Sequence, residues 1–312
     1  MRDRRVTALA AGAALVVASA FVRSDFVAML FVWVAVNVLL TASFRFVTLI
    51  GELNFAIAGF VGLGAYAAGC ATTMLDAPFV LSLAAGAAAA GLASLAFGWV
   101  TLRSKGPYFL LISFAFTEVL RLVYTQTSAI GGNSGLVGIF PPAWLTGYYP
   151  AIVLALVLAG LWVLHHLERS DFGRILVAIR NNDLIVQSVG IDVHRTKVLC
   201  LAVSSAFAGL GGALLAHANN VISPGDFGFL LAVFTLAYLK VGGEGHFAGS
   251  IVGATLLTLL AQYALGFGAF EHVFYGGAIV LVVLLMPEGI VGRWAAWRAR
   301  RAGAAHARVP EA

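Results

Sequence analysis

The sequence predicts an all-α integral membrane protein, a polytopic helical bundle of eight to ten transmembrane helices with one short structured region on a single side. Three observations carry this. Of 312 residues, 61% are hydrophobic and only 11% charged, against ~25% charged in soluble domains. The apolar residues fall in long runs, most approaching the ~20 residues that cross a bilayer. The cations gather at one alternating set of run ends, which fixes orientation and is no mark of a nucleic-acid surface. Every polar segment is short, so the chain reads as a single transmembrane domain over 1–312.

The elements follow in order. MRDRR and the apolar run Val6 to Val22 allow two readings, a signal peptide ending near Ala18-Ser19-Ala20 or a retained first helix. Continuation of the run through Phe21 and Val22 favours retention. Further spans are expected at about 26–44, 48–73, 78–101, 107–125, 149–166, 198–217, 229–241, 246–268 and 271–287. The one at 229–241 is short for a crossing and reads as tilted, broken or re-entrant. Loops 102–106 (Arg103, Lys105) and 167–197, and the basic tail 288–312 with Arg293, Arg298, Arg300, Arg301 and Arg308, share one side. Loops 126–148, 218–228 and 265–272 contain no Lys or Arg. That asymmetry puts the first set, and both termini, in the cytoplasm.

Small residues mark where helices approach, because helices in lipid associate through close backbone contact. Gly245, Gly249 and Gly253 form one ridge at four-residue spacing, and Ala58-Gly62, Ala65-Gly69 and Gly209-Ala213 form others. Packing within the chain is the simpler reading, and a partner subunit the alternative. Cys70 and Cys200 lie in apolar runs and read as inert core thiols.

The longest polar interruption is Asp171 to Lys197. It reads as two short helices, Phe172 to about Arg180 and about Asp183 to Val189, with Asn181 and Asn182 supplying an N-cap between them. Gly190 sits where a left-handed residue ends the second helix. Ile175, Leu176 and Ile179 are placed to lie on the bilayer, leaving the second helix to project. From the residues alone, a handle for a partner and an amphipathic helix resting at the interface stay equally open. The loop Gly131-Gly132-Asn133-Ser134-Gly135, rich in turn formers, is either a surface turn or backbone lining a vestibule.

Chemistry is sparse. Glu118 and Arg121 stand three apart on one helix face and read as a structural ion pair. Arg45 and Glu52 are placed to do likewise. The histidines are scattered, His217, His246 and His272 each standing alone, so no metal-ligand set forms. No catalytic constellation and no GxxxxGK[ST] phosphate loop is present, so ATP must be used by another chain, if at all.

Four segments together resemble the permease subunits of branched-chain amino acid ABC importers, of the LivM-like class. They are Gly51-Glu52-Leu53-Asn54 running to Gly62-Leu63-Gly64-Ala65-Tyr66; Leu102-Arg103-Ser104-Lys105-Gly106-Pro107-Tyr108-Phe109 through Glu118-Val119-Leu120-Arg121; the loop Gly131 to Leu136; and Phe172-Gly173-Arg174, Ala178-Ile179-Arg180, Asp183 and Gly190-Ile191. The resemblance implies that 171–190 is a coupling-helix region, with Arg174, Arg180, Asn182, Asp183 and Gly190 engaging a cytoplasmic ATPase. It makes Asn54, Gly62, Tyr66, Gly131, Gly132, Asn133, Ser134 and Gly135 the candidate translocation path or vestibule. It further implies a homologous second permease, two ATPase subunits that bind ATP and Mg, a periplasmic or extracellular solute-binding protein, and alternating access across a bacterial inner membrane. This chain would hold no cofactor and do no enzymatic step. Against that pattern, Ile57 stands where many relatives carry His or Gln, so a polar solute contact there is absent, Asp183 stands in place of Glu, and Ile185 and Val186 replace small alanines, which makes the docking surface bulkier. The competing reading is a stand-alone secondary transporter or channel, for which Glu118 and Arg121 are the main support.

Overall fold

The computed structural model describes residues 24–104, 106–286 and 288–306; the expected first span, Lys105 and Arg308 lie outside them. The chain divides into two compact units, one running to Val233 and one from Phe234. The first holds α1 (Asp25–Thr48), α2 (Ile57–Met74), α3 (Phe79–Thr101), α4 (Pro107–Gln126), α5 (Tyr149–Arg169), α6 (Asp171–Asn181), α7 (Asp183–Ser188), α8 (Val193–Asn219) and the start of α9 (Phe229–Gly242). The second holds the rest of α9, α10 (Phe247–Ala264), α11 (Glu271–Leu285) and α12 (Gly289–His306).

Seven described helices are long and apolar enough to cross a membrane: α1 to α5, α8, and the stretch 247–268 that contains α10. Helix α9 and the 273–282 part of α11 are apolar but shorter. Starts and stops follow backbone chemistry. Pro107 opens α4, where a missing N–H costs nothing, directly after Gly106 at φ 58°. Gly51, at φ 83°, ends the turn after α1.

Helix α8 is the hub of the first unit and packs on α1, α2 and α3. The contacts with α2 and α3 are made backbone to backbone. A Cβ on Gly64 would stand 2.2 Å from the Gly209 carbonyl oxygen, and one on Gly86 would stand 2.6 Å from the Gly64 oxygen. Gly212 meets Val61 in the same way, its Cβ position 2.0 Å from the Val61 oxygen. Of the expected ridges, the one at Gly209 therefore packs within the chain, a Cβ on it lying 2.7 Å from the Gly86 oxygen. In the second unit a Cβ on Gly253 would meet the Tyr238 oxygen at 1.9 Å, whereas Gly245 has nothing within 4 Å.

Two expected boundaries move. The span expected at 48–73 begins as a helix only at Ile57, and residues 49–56 form a largely buried turn segment. Such backbone survives inside the protein because other groups satisfy it: the Thr117 hydroxyl donates to the Phe55 carbonyl at 2.9 Å, and the Ala56 amide to Asn54 Oδ1 at 3.1 Å. Helix α8 starts at Val193, earlier than the expected 198, so Lys197 is inside the helix and buried. The tail from Gly289 to His306 is also helical.

At the end without cations, a two-stranded antiparallel pairing joins Leu136–Val137 to Val221–Ile222, with Leu136 opposite Ile222. Gly135 makes it possible: its φ is 80°, and a Cβ there would lie 2.1 Å from the Ile222 oxygen.

Candidate functional site

The two-helix knuckle is built from its links. Ser170 is extended, and α6 then turns back so tightly that a Cβ on Gly173 would lie 2.0 Å from the Glu168 carbonyl oxygen. Asn182 is extended between α6 and α7, and its side chain caps α7, accepting from the amides of Leu184 at 3.1 Å and Ile185 at 3.4 Å. Asn181 belongs to α6, so one asparagine makes the cap. Gly190 takes the left-handed conformation after α7, at φ 86°.

The knuckle does not present its apolar residues to lipid as expected. Leu176 and Ile179 are buried in the protein, and Ile179 forms a cluster with Val186 and Val193, flanked by Ile175 and Ile191. A six-residue helix cannot hold itself together in water, so Val186 folds back onto α6 and α8 rather than projecting. Burying one such side chain contributes about 1.5–3 kcal/mol. On the opposite side Leu184 is 70%, Ile185 63% and Val189 71% exposed. Arg174 is exposed and pairs with Asp171. The stem of Arg180 covers Gly51, its Cγ 3.3 Å from where a Cβ would be, and Asp183 opens α7.

Beneath the knuckle lies a buried ionic layer. Spacing alone offers Glu52 as the neighbour of Arg45; the fold adds Glu168, whose two oxygens take both terminal nitrogens of Arg45 at 2.7 and 2.8 Å. Glu52 is 4% exposed, accepts from the Gly106 amide at 3.0 Å, and lies 3.9 Å from the buried Lys197 ammonium. These contacts tie α1 to α5, and the turn before α2 to the turn before α4 and to α8, with the stem of Arg180 over Gly51 beside Glu52. Glu168 and Lys197 were not singled out by the sequence, because their partners are far away in it.

The candidate path residues spread along α2. Asn54 is buried at its start, with its Nδ2 lacking a partner. Two turns on, Gly62 makes room for Tyr124 and Phe227, each 3.0 Å from its Cβ position. Tyr66 stacks on Tyr124 with centroids 4.3 Å apart and meets Phe227 edge-on at 6.0 Å. Its hydroxyl is buried without a hydrogen-bond partner. Further along, Leu136 and Ile139 cover Gly69. In the loop itself the amides of Gly131, Gly132, Ser134 and Gly135 are all donated to loop or neighbouring carbonyls. The side chains of Asn133 and Ser134 are exposed. Gly62, Tyr66 and the aromatic pair thus come together, whereas Asn54 stands apart near the ionic layer.

Glu118 and Arg121 pair at 2.7 Å, and Glu118 also accepts from the Phe229 amide at 3.4 Å, tying α4 to the start of α9. His217, alone in the sequence, is buried between three helices: Nε2 lies 3.1 Å from the Thr72 hydroxyl and 3.3 Å from that of Ser82, and Nδ1 lies 2.9 Å from the Ala213 carbonyl. Among the described residues no three His, Cys, Asp or Glu side chains converge as a metal site would require.

Comparison with known proteins agrees with this architecture. The chain is 28% identical over 275 residues to the high-affinity branched-chain amino acid transport system permease protein LivM of Escherichia coli, covering 78% of this chain and 65% of that one. It therefore spans a little under two thirds of that relative. It is 24% identical over 270 residues to the LivH permease protein of the same organism, covering 78% and 87%. It is 26% identical over 268 residues to the ribose import permease protein RbsC of Bacillus subtilis, covering 82% of each. No solved structure matches it. The family described as "Branched-chain amino acid transport system / permease component" matches residues 26–285. This multi-pass membrane protein belongs to that permease family.

Proposed function

We propose that this chain is the membrane-spanning permease of an ATP-driven ABC importer, moving branched-chain amino acids or related small polar solutes by alternating access. The observation that carries this reading is the α6–α7 knuckle. Its inner side is anchored on α8 through Val186 and Ile179, and its outer side exposes Leu184, Ile185 and Val189. Anchored apolar residues exposed at a polar end are what a docking surface for another protein needs. Family membership supplies the kind of partner. Two cytoplasmic ATPase subunits, holding the ATP and Mg, close on one another and lever α6 and α7, with Arg174, Arg180, Asn182, Asp183 and Gly190 shaping the contact. The ionic layer under Arg180 carries that movement to the turn before α2, where the candidate path begins at Asn54.

A second, homologous permease completes the membrane part, and a solute-binding protein delivers solute at the opposite face, near Gly131 to Gly135. The charge asymmetry of the loops supports a knuckle and both termini in the cytoplasm of a bacterium, with the chain in its inner membrane. The names of the relatives, two branched-chain amino acid permeases and a ribose permease, support small polar solutes as the class.

The test joins two measurements. Gentle extraction of the tagged protein should recover a Walker-motif ATPase and a second permease, and Leu184→Glu with Ile185→Glu should release the ATPase while leaving the melting temperature unchanged. ATP-dependent uptake should be lost with it. A double variant that retains both the ATPase and uptake would remove the knuckle from the coupling role.

A further inference from the structure

Helix α12 has two dissimilar sides. Its glycine side is pressed on the rest of the second unit: a Cβ on Gly289 would lie 2.3 Å from Gly243 Cα, and one on Gly243 would lie 3.3 Å from the Gly292 nitrogen. Its other side carries Ile290, Trp294 and Trp297, four and three residues apart and hence in one stripe. Trp294 is 52% and Trp297 48% exposed. The guanidinium of Arg298 lies 3.7 Å over the Trp294 ring. Arg293 donates from Nη1 to the Leu285 carbonyl at 2.9 Å, which fixes it at the end of α11. That bond uses one of the five N–H donors of its fork.

Where α11 meets α12 there is a cavity of about 730 Å³, lined by Leu285, Met286, Ile290, Arg293, Trp294 and Trp297, with Glu288 as an acid beside them. The exposed apolar residues Val280, Leu281 and Leu284 of α11 precede it. An apolar helix thus runs directly into a basic helix with outward tryptophans and a cavity at the joint. Tryptophan favours the level between acyl chains and headgroups, and a forked guanidinium matches phosphate. Between 289 and 306 the sequence has four arginines and no acid.

We propose that the α11–α12 junction binds an anionic phospholipid, its acyl chains along Val280, Leu281 and Leu284, its glycerol region against Trp294 and Trp297, and its phosphate at Arg293 and Arg298. The bound lipid holds α12 in the plane of the membrane surface, as basic amphipathic helices lie. None of these residues belongs to the knuckle or to the candidate path.

Native mass spectrometry of the full-length protein, extracted with its accompanying subunits, delipidated, and resupplied with phosphatidylglycerol or phosphatidylcholine, reads this site. Phosphatidylglycerol should be retained and phosphatidylcholine displaced. Arg293→Gln with Arg298→Gln should weaken phosphatidylglycerol retention about twenty-five-fold, each cation near a headgroup contributing about five-fold. Trp294→Ala with Trp297→Ala should weaken both lipids, and the milder Trp→Phe pair should restore part of the binding. Equal retention of the two lipids, or phosphatidylglycerol unaffected by loss of the two arginines, would overturn the proposal. So would protection of Trp294 and Trp297 from oxidative footprinting by an accompanying subunit in the lipid-free complex, which would assign the face to protein.

Discussion

Replacing Asn182 with alanine removes both hydrogen bonds that its Oδ1 accepts, from Leu184 and Ile185. Losing an N-cap of this kind costs about 1 kcal/mol, which converts to a roughly five-fold rise in the open population of α7. The helix should not vanish, because Val186 stays 5% exposed in its cluster and contributes more than the cap does. Hydrogen exchange read by mass spectrometry over 182–190 should therefore quicken about five-fold at the amides of Leu184 and Ile185, while α6 exchanges as before. Asn182→Ser keeps an acceptor at the capping position and should return exchange close to wild type. If Asn182→Ala leaves those amides unchanged, or Ser performs no better than Ala, the cap does not hold α7 and the reasoning fails.

Three further outcomes are expected. Gly64→Ala drives a methyl to 2.2 Å from the Gly209 oxygen and should lower folded yield and melting temperature sharply, whereas Gly277→Ala, with nothing within 4 Å, should be neutral or stabilise by up to about 1 kcal/mol. Arg45→Met and Glu168→Gln should each destabilise, toward the lower end of about 3–5 kcal/mol because the Glu168 side chain keeps 20% exposure, and the double variant should cost clearly less than their sum in a mild-denaturant cycle. Tyr66→Phe deletes a buried hydroxyl with no protein partner, so it should melt no lower than wild type while solute uptake falls; unchanged uptake would take Tyr66 out of the path.

Much of this was legible in the sequence because it is local. Asn182 before Asp183 and Gly190 after Val189 are short-range signals, and both appear as the expected cap and left-handed turn. The long apolar runs gave most spans for the same reason. What could not be read depends on distant residues meeting. Gly51, Glu52 and Asn54 interrupt the apolar run between Leu49 and Ala56, but too briefly to show that the helix waits until Ile57; the reason lies on α4, where Thr117 satisfies Phe55. Ile175, Leu176 and Ile179 have the spacing of a surface-lying helix whether lipid or protein covers them, and only the fold of Val186 and Val193 onto them decides. Nothing beside His217 in the chain foretells its side-chain partners, since Thr72 and Ser82 arrive from other helices.

The glycine contacts among α2, α3 and α8 limit how the protein can move. Side chains that interdigitate can change rotamer and let two helices shear past each other. Here main chain rests on main chain, at Gly64 on Gly209 and Gly86 on Gly64. A slip of one residue would drive Leu63 or Ala65 into a carbonyl. The three helices have no gear to change: they travel as one keel, and any stroke of the proposed transport cycle has to be taken by elements hinged to it.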